Sequence, residues 1–290
     1  MKPGRESQTA VMICMARAIA HGTTSVASFS DPTALSLLPE EARARVESIR
    51  AGALPKNLRE RFQHAFINGR TQMTVARTVA IDDEVRAAGA PQLVILGAGL
   101  DGRAWRMPEL RDVTVFEVDH PDSQRQKRAR IAALEPMARD VRFVPVDFGR
   151  DDLGEALAAA GHDPRRPTAW IWEGVVMYLE LADIAATLTV VERRSAPGSH
   201  LVVAYIGPAL MLWLVRPVVR RVGEPFRSVF TREAMRSLLG RHGFRVEKDE
   251  ALPEIGARLS ADVARATRVM KHFRIATAVR AAPAIEPSAR

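Results

Sequence analysis

The sequence predicts an α/β fold: a doubly wound, mostly parallel seven-stranded sheet with an N-terminal helical cap and a lid insertion. Three observations carry this. From residue 92 onward, short and nearly all-apolar runs alternate with helical patterns, as buried parallel strands and their crossover helices do. Residues 1–75 lack such runs and read as helices broken by loops. Residues 207–230 interrupt the alternation with an apolar, proline-punctuated stretch. With 290 residues, 47% of them hydrophobic and 26% charged, the chain can bury a substantial core. That balance excludes collagen-like, coiled-coil and wholly disordered chains.

The elements follow in order. Residues 10–20 are apolar but carry Arg17, and Glu6 sits where a secretion signal would be basic, so an amphipathic helix is expected rather than a leader. Asp31-Pro32 and Leu38-Pro39 are breaks, because proline pushes the preceding residue out of the helical region. Residues 40–50 read as a helix with one charged face, and 70–88 as a long helix stopped by Gly89 and Pro91. Residues 92–96 form the first buried strand, running into Gly97, and 113–118 the second. A helix over 121–134 has proline in its first turn. Strand 141–146 ends at Asp147, helix 151–160 stops at Gly161, and strand 168–172 ends in Glu173-Gly174. Helix 179–194 turns through Pro197-Gly198 into strand 200–206. After the lid, Thr231 caps a helix that Gly243 ends, and 244–247 and 272–279 are the last two strands. The proline- and alanine-rich tail after Ala281 is expected to fray. The expected organisation is a cap over 1–75, a ligand-binding core over 76–206, a lid over 207–230, and the rest of the core with the tail over 231–290.

Charge and cysteine usage exclude several functions. The net charge of +8 and pI of about 10.4 suggest nucleic acid at first sight. The basic residues are 37 Arg and only 5 Lys, spread along the chain and interleaved with acids. That skew matches GC-rich codon usage, and no basic run is interleaved with base-stacking aromatics. No nucleic-acid partner is expected. Nor is a membrane, since residues 206–215 are too few to span one and contain Pro208. A single cysteine, Cys14, excludes a disulfide framework and a multi-cysteine zinc site, and fits a reducing cytoplasm. The seven histidines show no H-x-H or H-E-x-x-H spacing, so no metal is expected.

The chemistry concentrates at strand ends. Gly97-Ala-Gly-Leu-Asp-Gly102 matches G-x-G-x-x-G after a strand, where backbone free of side chains can approach a ligand. A tight turn without ligand is the plain alternative. A dinucleotide would want a helix amino end aimed at its diphosphate. Here Asp101 sits in the loop and Pro108 cuts the next helix short, so a cationic ligand suits better. Glu117 and Asp119, Asp147, and Glu173 follow at the ends of three successive strands, which line one crevice in such a sheet. S-adenosylmethionine fits that crevice: its ribose and adenine donate hydrogen bonds to carboxylates, and its ammonium and sulfonium are positive.

Ordered blocks then carry a resemblance. They are Ala76-Arg-Thr78 with Ile81-Asp-Asp83, Val94-Ile-Leu-Gly-Ala-Gly-Leu-Asp101 with Arg103-Ala-Trp-Arg106, and Phe116-Glu-Val-Asp-His-Pro121 with Lys127. Val144-Pro-Val-Asp-Phe148 and Glu173-Gly-Val-Val-Met-Tyr-Leu179 follow, and Gly223-Glu-Pro-Phe226 fits more loosely. The chain resembles the leucine carboxyl methyltransferase family, in its bacterial branch of class I S-adenosylmethionine-dependent O-methyltransferases. The resemblance implies a Rossmann-like fold, S-adenosylmethionine as methyl donor and S-adenosylhomocysteine as product. It implies that Arg77 pairs with the cofactor carboxylate, Gly97 and Gly99 form the turn beneath the methionyl part, and Asp119 or Glu117 binds the ribose. It further implies that Asp147 and Phe148 hold adenine, Glu173 lies near the methionyl part with Asp101 in the same loop region, and Tyr178 faces the reacting centre. Gly102 departs from the Thr or Ser usual there, and no counterpart of the eukaryotic enzyme's N-terminal lysine stands around residues 9–11.

The acceptor is read more loosely. Beyond Tyr178, His120 and His200 no strong base candidate stands out, which favours a carboxylate or acidic hydroxyl that ionises unaided. Tyr205 and Trp213 are candidate lining residues, and Arg216, Arg220 and Arg221 would attract an anionic small molecule. Trp105, Trp170 and Trp172 read as packing, and His120 reads equally as a helix-start residue. Two other classes stay open: a cofactor-binding module without methyl transfer, and a nicotinamide oxidoreductase supported by the glycine motif alone. Acceptor identity, pathway and oligomeric state are not legible in the sequence.

Overall fold

A computed structural model describes residues 7–52, 58–148, 150–208 and 226–282, with residues 58–68 described by backbone alone. The N-terminal part is helical. Helix α1 (Gln8–Ala20) opens with the Ser7 hydroxyl accepting from the Ala10 N–H at 3.2 Å, which satisfies one of the orphan donors of the first turn. A single turn, α2 (Ala34–Leu37), and helix α3 (Glu40–Arg50) follow the two proline breaks. Glu40 and Glu41 lie in the first turn of α3 and Arg50 in its last, each complementing the helix dipole. Helix α4 (Leu58–Ala88) is 31 residues long and starts twelve residues earlier than the sequence pattern suggests.

The sheet has seven strands: β1 (Gln92–Leu96), β2 (Thr114–Asp119), β3 (Asp140–Pro145), β4 (Thr168–Trp172), β5 (His200–Ile206), β6 (Phe244–Ala251) and β7 (Phe273–Arg280). Their spatial order is β3-β2-β1-β4-β5-β7-β6, and β7 runs antiparallel to both neighbours. Helices α5 (Arg103–Arg106), α6 (Pro121–Ile131), α7 (Leu153–Ala159) and α8 (Leu181–Arg193) lie between the first five strands. Helices α9 (Arg232–Arg241), α10 (Leu252–Leu259) and α11 (Ala261–Thr267) complete the fold. Thr231 caps α9 as expected, its hydroxyl accepting from the Ala234 N–H at 3.1 Å. The pattern missed α10 and α11 and ended β6 four residues early. Both short helices follow β6 closely, and their start signals, Pro253 in the first turn of α10 and Ser260 capping α11 by accepting from the Val263 N–H at 3.3 Å, went unread.

Alternation along the strands divides the core. Leu93, Ile95, Val115, Ala169, Ile171 and Val202 face a layer built partly from α1, α2 and α4. Val94, Leu96, Phe116, Val118, Trp170, Trp172, Leu201 and Val203 face α7, α8 and α9. Burial on both faces explains why these strands read as unbroken apolar runs. Trp105, Trp170 and Trp172 pack as expected, at 5%, 0% and 1% exposure.

Register places the site. Leu96 of β1 pairs with Val118 of β2 on one side and Trp172 of β4 on the other. The next residues, Gly97, Asp119 and Glu173, therefore emerge side by side at the carboxyl ends of three adjacent strands. His200 starts β5, so it lies at the opposite end of the sheet and is excluded as a base for chemistry here. No helix among the described residues is long and apolar enough to cross a membrane.

Candidate active site

The glycine turn follows β1 directly. Gly97 and Gly99 have φ of +71° and +47°, a region that side chains rarely enter. The turn is pinned to β2, with the Gly97 and Ala98 N–H groups donating to the Val118 carbonyl at 2.8 and 3.0 Å. A Cβ on Gly97 would collide with Val175, and one on Gly99 would lie 3.3 Å from Ala10 of α1. The glycines thus let the β4 loop and the N-terminal cap close onto one turn.

Asp119 sits beside that turn. One carboxylate oxygen accepts from the Gly99 N–H, and the other accepts from the His120 N–H at 2.6 Å. Burial raises its pKa, and these two backbone donors pull against that. Each oxygen keeps a lone pair for a further donor. His120 caps α6, its Nδ1 accepting from the Asp122 N–H at 3.2 Å. Its placement matches the helix-start role, and the catalytic role expected of it gains no geometry.

Two of the expected cofactor acids point inward. Glu117 is fully buried, with Lys127 Nζ 2.7 Å from each of its oxygens. It lies beneath α6, where Gln124 also donates to the Glu117 and Val144 carbonyls at 2.8 and 2.9 Å. Burial pushes the Glu117 carboxyl up to about 7, against the pull of Lys127. It supports the strand under Asp119 and is not placed to meet a ligand. Asp101 is likewise buried and engaged, one oxygen by the Arg103 side chain and the other by the Arg103 N–H at 2.7 Å. Burial raises its carboxyl, and Arg103, Arg17 and Lys127 outweigh that and hold it well below the usual carboxylate range.

Asp101 belongs to a chain of buried charges. Arg17 of α1 reaches Asp31 at 3.0 Å and donates to the Leu100 carbonyl. Arg106 meets Asp31 at 3.6 Å and Asp82 of α4 at 2.6 Å. Arg103 contacts Asp82 at 2.8 Å, Asp101, and Glu173 at 3.1 Å. Arg77 closes the chain onto Glu173 at 2.6 Å. Four guanidiniums thus meet four carboxylates, a balance that water-excluded charges require. Burial would raise Glu173, and Arg77 and Arg103 hold it below its ordinary value. The sequence showed Arg77, Asp82, Asp101, Arg103, Arg106 and Glu173 in ordered blocks, but their pairing with one another and with Arg17 and Asp31 is tertiary and had no local signature. The departure at Gly102 has a reason in space: a Cβ there would collide with Thr33 Oγ1, which donates to Asp31 at 2.8 Å.

The remaining expected residues fall as follows. Asp147 is half-buried at the end of β3, its N–H donating to Asp151 at 2.8 Å. Phe148 packs partly against the core on the α7–α8 face. Tyr178 ends a single 3-10 turn (Val176–Tyr178) and stacks on Phe226, with centroids 5.8 Å apart and planes at 23°. Tyr205 is only 1% exposed and donates to Asp249 at 2.8 Å, and Asp249 also receives Arg274 at 2.8 Å. This hydrogen bond holds β5 to β6 across β7, so Tyr205 is a core residue and not an acceptor-pocket residue. Trp213, Arg216, Arg220 and Arg221, with most of the expected lid, lie outside the described residues. Among the described residues, no cluster of His, Cys, Asp and Glu is placed to hold a metal.

The profile of the leucine carboxyl methyltransferase family matches residues 10–192, well over half of the chain. The chain belongs to that family. Relatives agree with the assignment. A provisionally named S-adenosyl-L-methionine-dependent methyltransferase of Parafrankia sp. (strain EAN1pec) is 37% identical over 171 residues, covering 58% of this chain and 50% of that protein. Another, from Mycobacterium sp. (strain JLS), is 34% identical over 194 residues, covering 67% and 64%. The chain spans about half the length of the first curated relatives it matches. Among solved structures, a DUF574 family protein from Streptomyces avermitilis has a TM-score of 0.58 at 16% identity, covering 95% of this chain and 98% of that one. A provisionally named methyltransferase from Thermobifida fusca has a TM-score of 0.52 at 15% identity, covering 97% of each. At such identities the likeness speaks to fold, and the fold of this family member is the α/β fold of the class I methyltransferases.

Proposed function

We propose that this family member is an O-methyltransferase that uses S-adenosylmethionine to methylate a small-molecule carboxylate or acidic hydroxyl, in specialised metabolism and in the cytoplasm. The observation that carries the reading is Asp119: a carboxylate at the end of β2, steadied through both oxygens by backbone donors, beside a positive-φ glycine turn onto which Val175 and Ala10 close. Its remaining lone pairs suit vicinal hydroxyl donors, and Asp147 stands half-buried beyond the neighbouring strand end, so the residues present fit this cofactor. A diphosphate suits it poorly, because the helix after the turn is four residues long and offers little dipole.

When bound, S-adenosylmethionine supplies an electrophilic methyl group on a sulfonium. Asp119 would hold its ribose, Asp147 and Phe148 its adenine, and Gly97 and Gly99 the turn beneath its methionyl part. Arg77, presented by α4 and steered by Glu173, would meet its carboxylate. Tyr178 borders the place where the acceptor oxygen would be aligned. Alignment and exclusion of water are the main contributions such a site makes. An acceptor that ionises near neutral pH needs no general base, and neither His120 nor His200 is placed to be one. We further propose that residues 1–75 act as a cap and 207–230 as a lid over the acceptor, and that neither nucleic acid nor membrane is a partner.

The test is direct. The purified chain is incubated with S-adenosylmethionine bearing an isotopically labelled methyl group and a panel of aromatic and aliphatic acids and phenols. Labelled methyl ester or ether with matching S-adenosylhomocysteine supports the proposal. Cofactor binding without transfer to any acceptor would leave a binding module instead.

A further inference from the structure

Arg103 does more in the buried charge chain than balance it. Its side chain is 1% exposed, whereas those of Arg77 and Glu173 are 14% and 13% exposed. The two outer residues can meet a ligand, and Arg103 stands behind them. It spans three carboxylates: Nε reaches Asp82 at 2.8 Å, Nη1 contacts Asp101, and the same Nη1 reaches Glu173 Oε2 at 3.1 Å. Its far side is clamped. Asp82 lies on α4, the helix that also carries Arg77, and receives both Nη groups of Arg106 at 2.6 and 2.9 Å. Asp101 also accepts from the Arg103 N–H at 2.7 Å.

Glu173 divides its two oxygens. Oε2 faces Arg103, and Oε1 lies 2.6 Å from Arg77 Nε. A carboxylate with a single guanidinium partner favours the bidentate arrangement, two parallel N–H···O bonds. That arrangement would turn Arg77 side-on to Glu173 and take up N–H groups that a second carboxylate needs. With Oε2 held by Arg103, Glu173 meets Arg77 at Nε, and the Nη pair at the tip of the guanidinium is the edge that a ligand carboxylate would meet. Fixing that edge beforehand spares the rotamer entropy that a loose arginine loses on binding.

We propose that Arg103 is a positioning residue for the amino-acid end of the cofactor: it holds Glu173 to a one-oxygen contact with Arg77, so that Arg77 keeps the tip of its guanidinium for the methionyl carboxylate. The proposal rests on the methyltransferase reading and on Arg77 as the carboxylate partner within it. Arg103 acts through Glu173 and touches neither cofactor nor reacting atoms. It therefore sets how strongly the site prefers ligands that carry the amino-acid end over ligands that lack it.

The test compares S-adenosylhomocysteine with 5′-methylthioadenosine, which keeps the adenosine and the thioether and lacks the amino-acid end. Both are titrated calorimetrically into the wild type, Arg103→Lys, Asp82→Asn, Glu173→Gln, and the double variant of Arg103→Lys with Glu173→Gln, each checked for folding by circular dichroism. Arg103→Lys keeps the charge balance, but a single ammonium does not span three carboxylates as the guanidinium does. It should weaken S-adenosylhomocysteine by at least about tenfold and leave 5′-methylthioadenosine within about twofold. Asp82→Asn, which keeps an oxygen for Arg103, should show the same selective loss at about fivefold. On top of Glu173→Gln, Arg103→Lys should cost no more than about twofold further, since its effect passes through Glu173. Equal losses for the two ligands would mark a merely structural residue and overturn the proposal. So would an unchanged S-adenosylhomocysteine affinity in folded Arg103→Lys, or a loss that persists in full on top of Glu173→Gln. If Arg103→Lys does not fold, the Asp82→Asn comparison decides by the same criterion. A wild type that binds S-adenosylhomocysteine no more tightly than 5′-methylthioadenosine would overturn this proposal and spare the cofactor reading. Failure of S-adenosylhomocysteine to bind the folded wild type would instead strike the underlying methyltransferase reading, and this proposal with it.

Discussion

Replacing Lys127 with Met isolates the energetics beneath Asp119. Lys127 Nζ lies 2.7 Å from both Glu117 oxygens, and both side chains are 1% exposed. Met keeps the aliphatic stem and its contact with Trp105, over whose ring the ammonium now sits at 5.2 Å. What is lost is the charge. Removing one partner of a buried pair leaves the other uncompensated and costs about 3–5 kcal/mol. Burial already pushes Glu117 upward, so without Lys127 it will take up a proton, and the loss will shrink as the pH is lowered. Lys127→Met with Glu117→Gln removes both charges and should recover most of the loss, to within about 1–2 kcal/mol of wild type. Urea unfolding of the wild type, both single variants and the double variant at pH 8 and pH 6 closes the cycle. A Lys127→Met cost below about 1 kcal/mol at pH 8, or a double variant as unstable as the sum of the singles, would refute the reasoning.

Other outcomes follow from the same structure. His162 is buried, its Nε2 3.1 Å from the Thr168 hydroxyl and its Nδ1 accepting from Arg194; burial and then Arg194 push its pKa down to about 4. Only the unfolded chain protonates this group between its ordinary value near 6.5 and 4, so stability present above pH 6.5 is lost as the pH falls, by up to about 3 kcal/mol. His162→Gln should flatten the pH dependence of the urea midpoint between pH 7 and 5; an unaltered slope would contradict this. Gly97→Ala should cost about 1–2 kcal/mol through its positive φ alone, with more from Val175, and should weaken S-adenosylhomocysteine binding in calorimetry. Arg17→Met should destabilise the fold and weaken cofactor binding together, because it leaves Asp31 to Arg106 and the Thr33 hydroxyl and frees the Leu100 carbonyl next to the glycine turn; unfolding and binding measured on one preparation would show whether the two losses coincide.

The fold was legible where physics acts locally. Strands buried on both faces read as apolar runs, and glycine or proline punctuates most of the helices between them. The antiparallel entry of β7 was not legible, since strand direction is decided by tertiary packing, whereas α10 and α11 carried start signals in Pro253 and Ser260 that went unread. At the site, Asp119, Gly97, Gly99 and Glu173 were legible because strand ends in such a sheet converge. Glu117 misled because alternation puts it on the same side as Asp119 without saying that α6 covers one and spares the other. Asp101 misled because its partner Arg103 lies two residues away, and no spacing rule marks such a pair as buried. Tyr205 misled because its partner Asp249 is far along the chain.

The central claim is a cofactor site organised by Asp119 at the end of β2. Calorimetric titration of S-adenosylmethionine and S-adenosylhomocysteine into the wild type and Asp119→Ala, with NADH as control, tests it most directly. The account predicts micromolar binding of both sulfur compounds to the wild type, a loss of at least about tenfold in the folded variant, and no binding of NADH. Absence of binding to a folded, ligand-stripped wild type, or binding of NADH in its place, would contradict it.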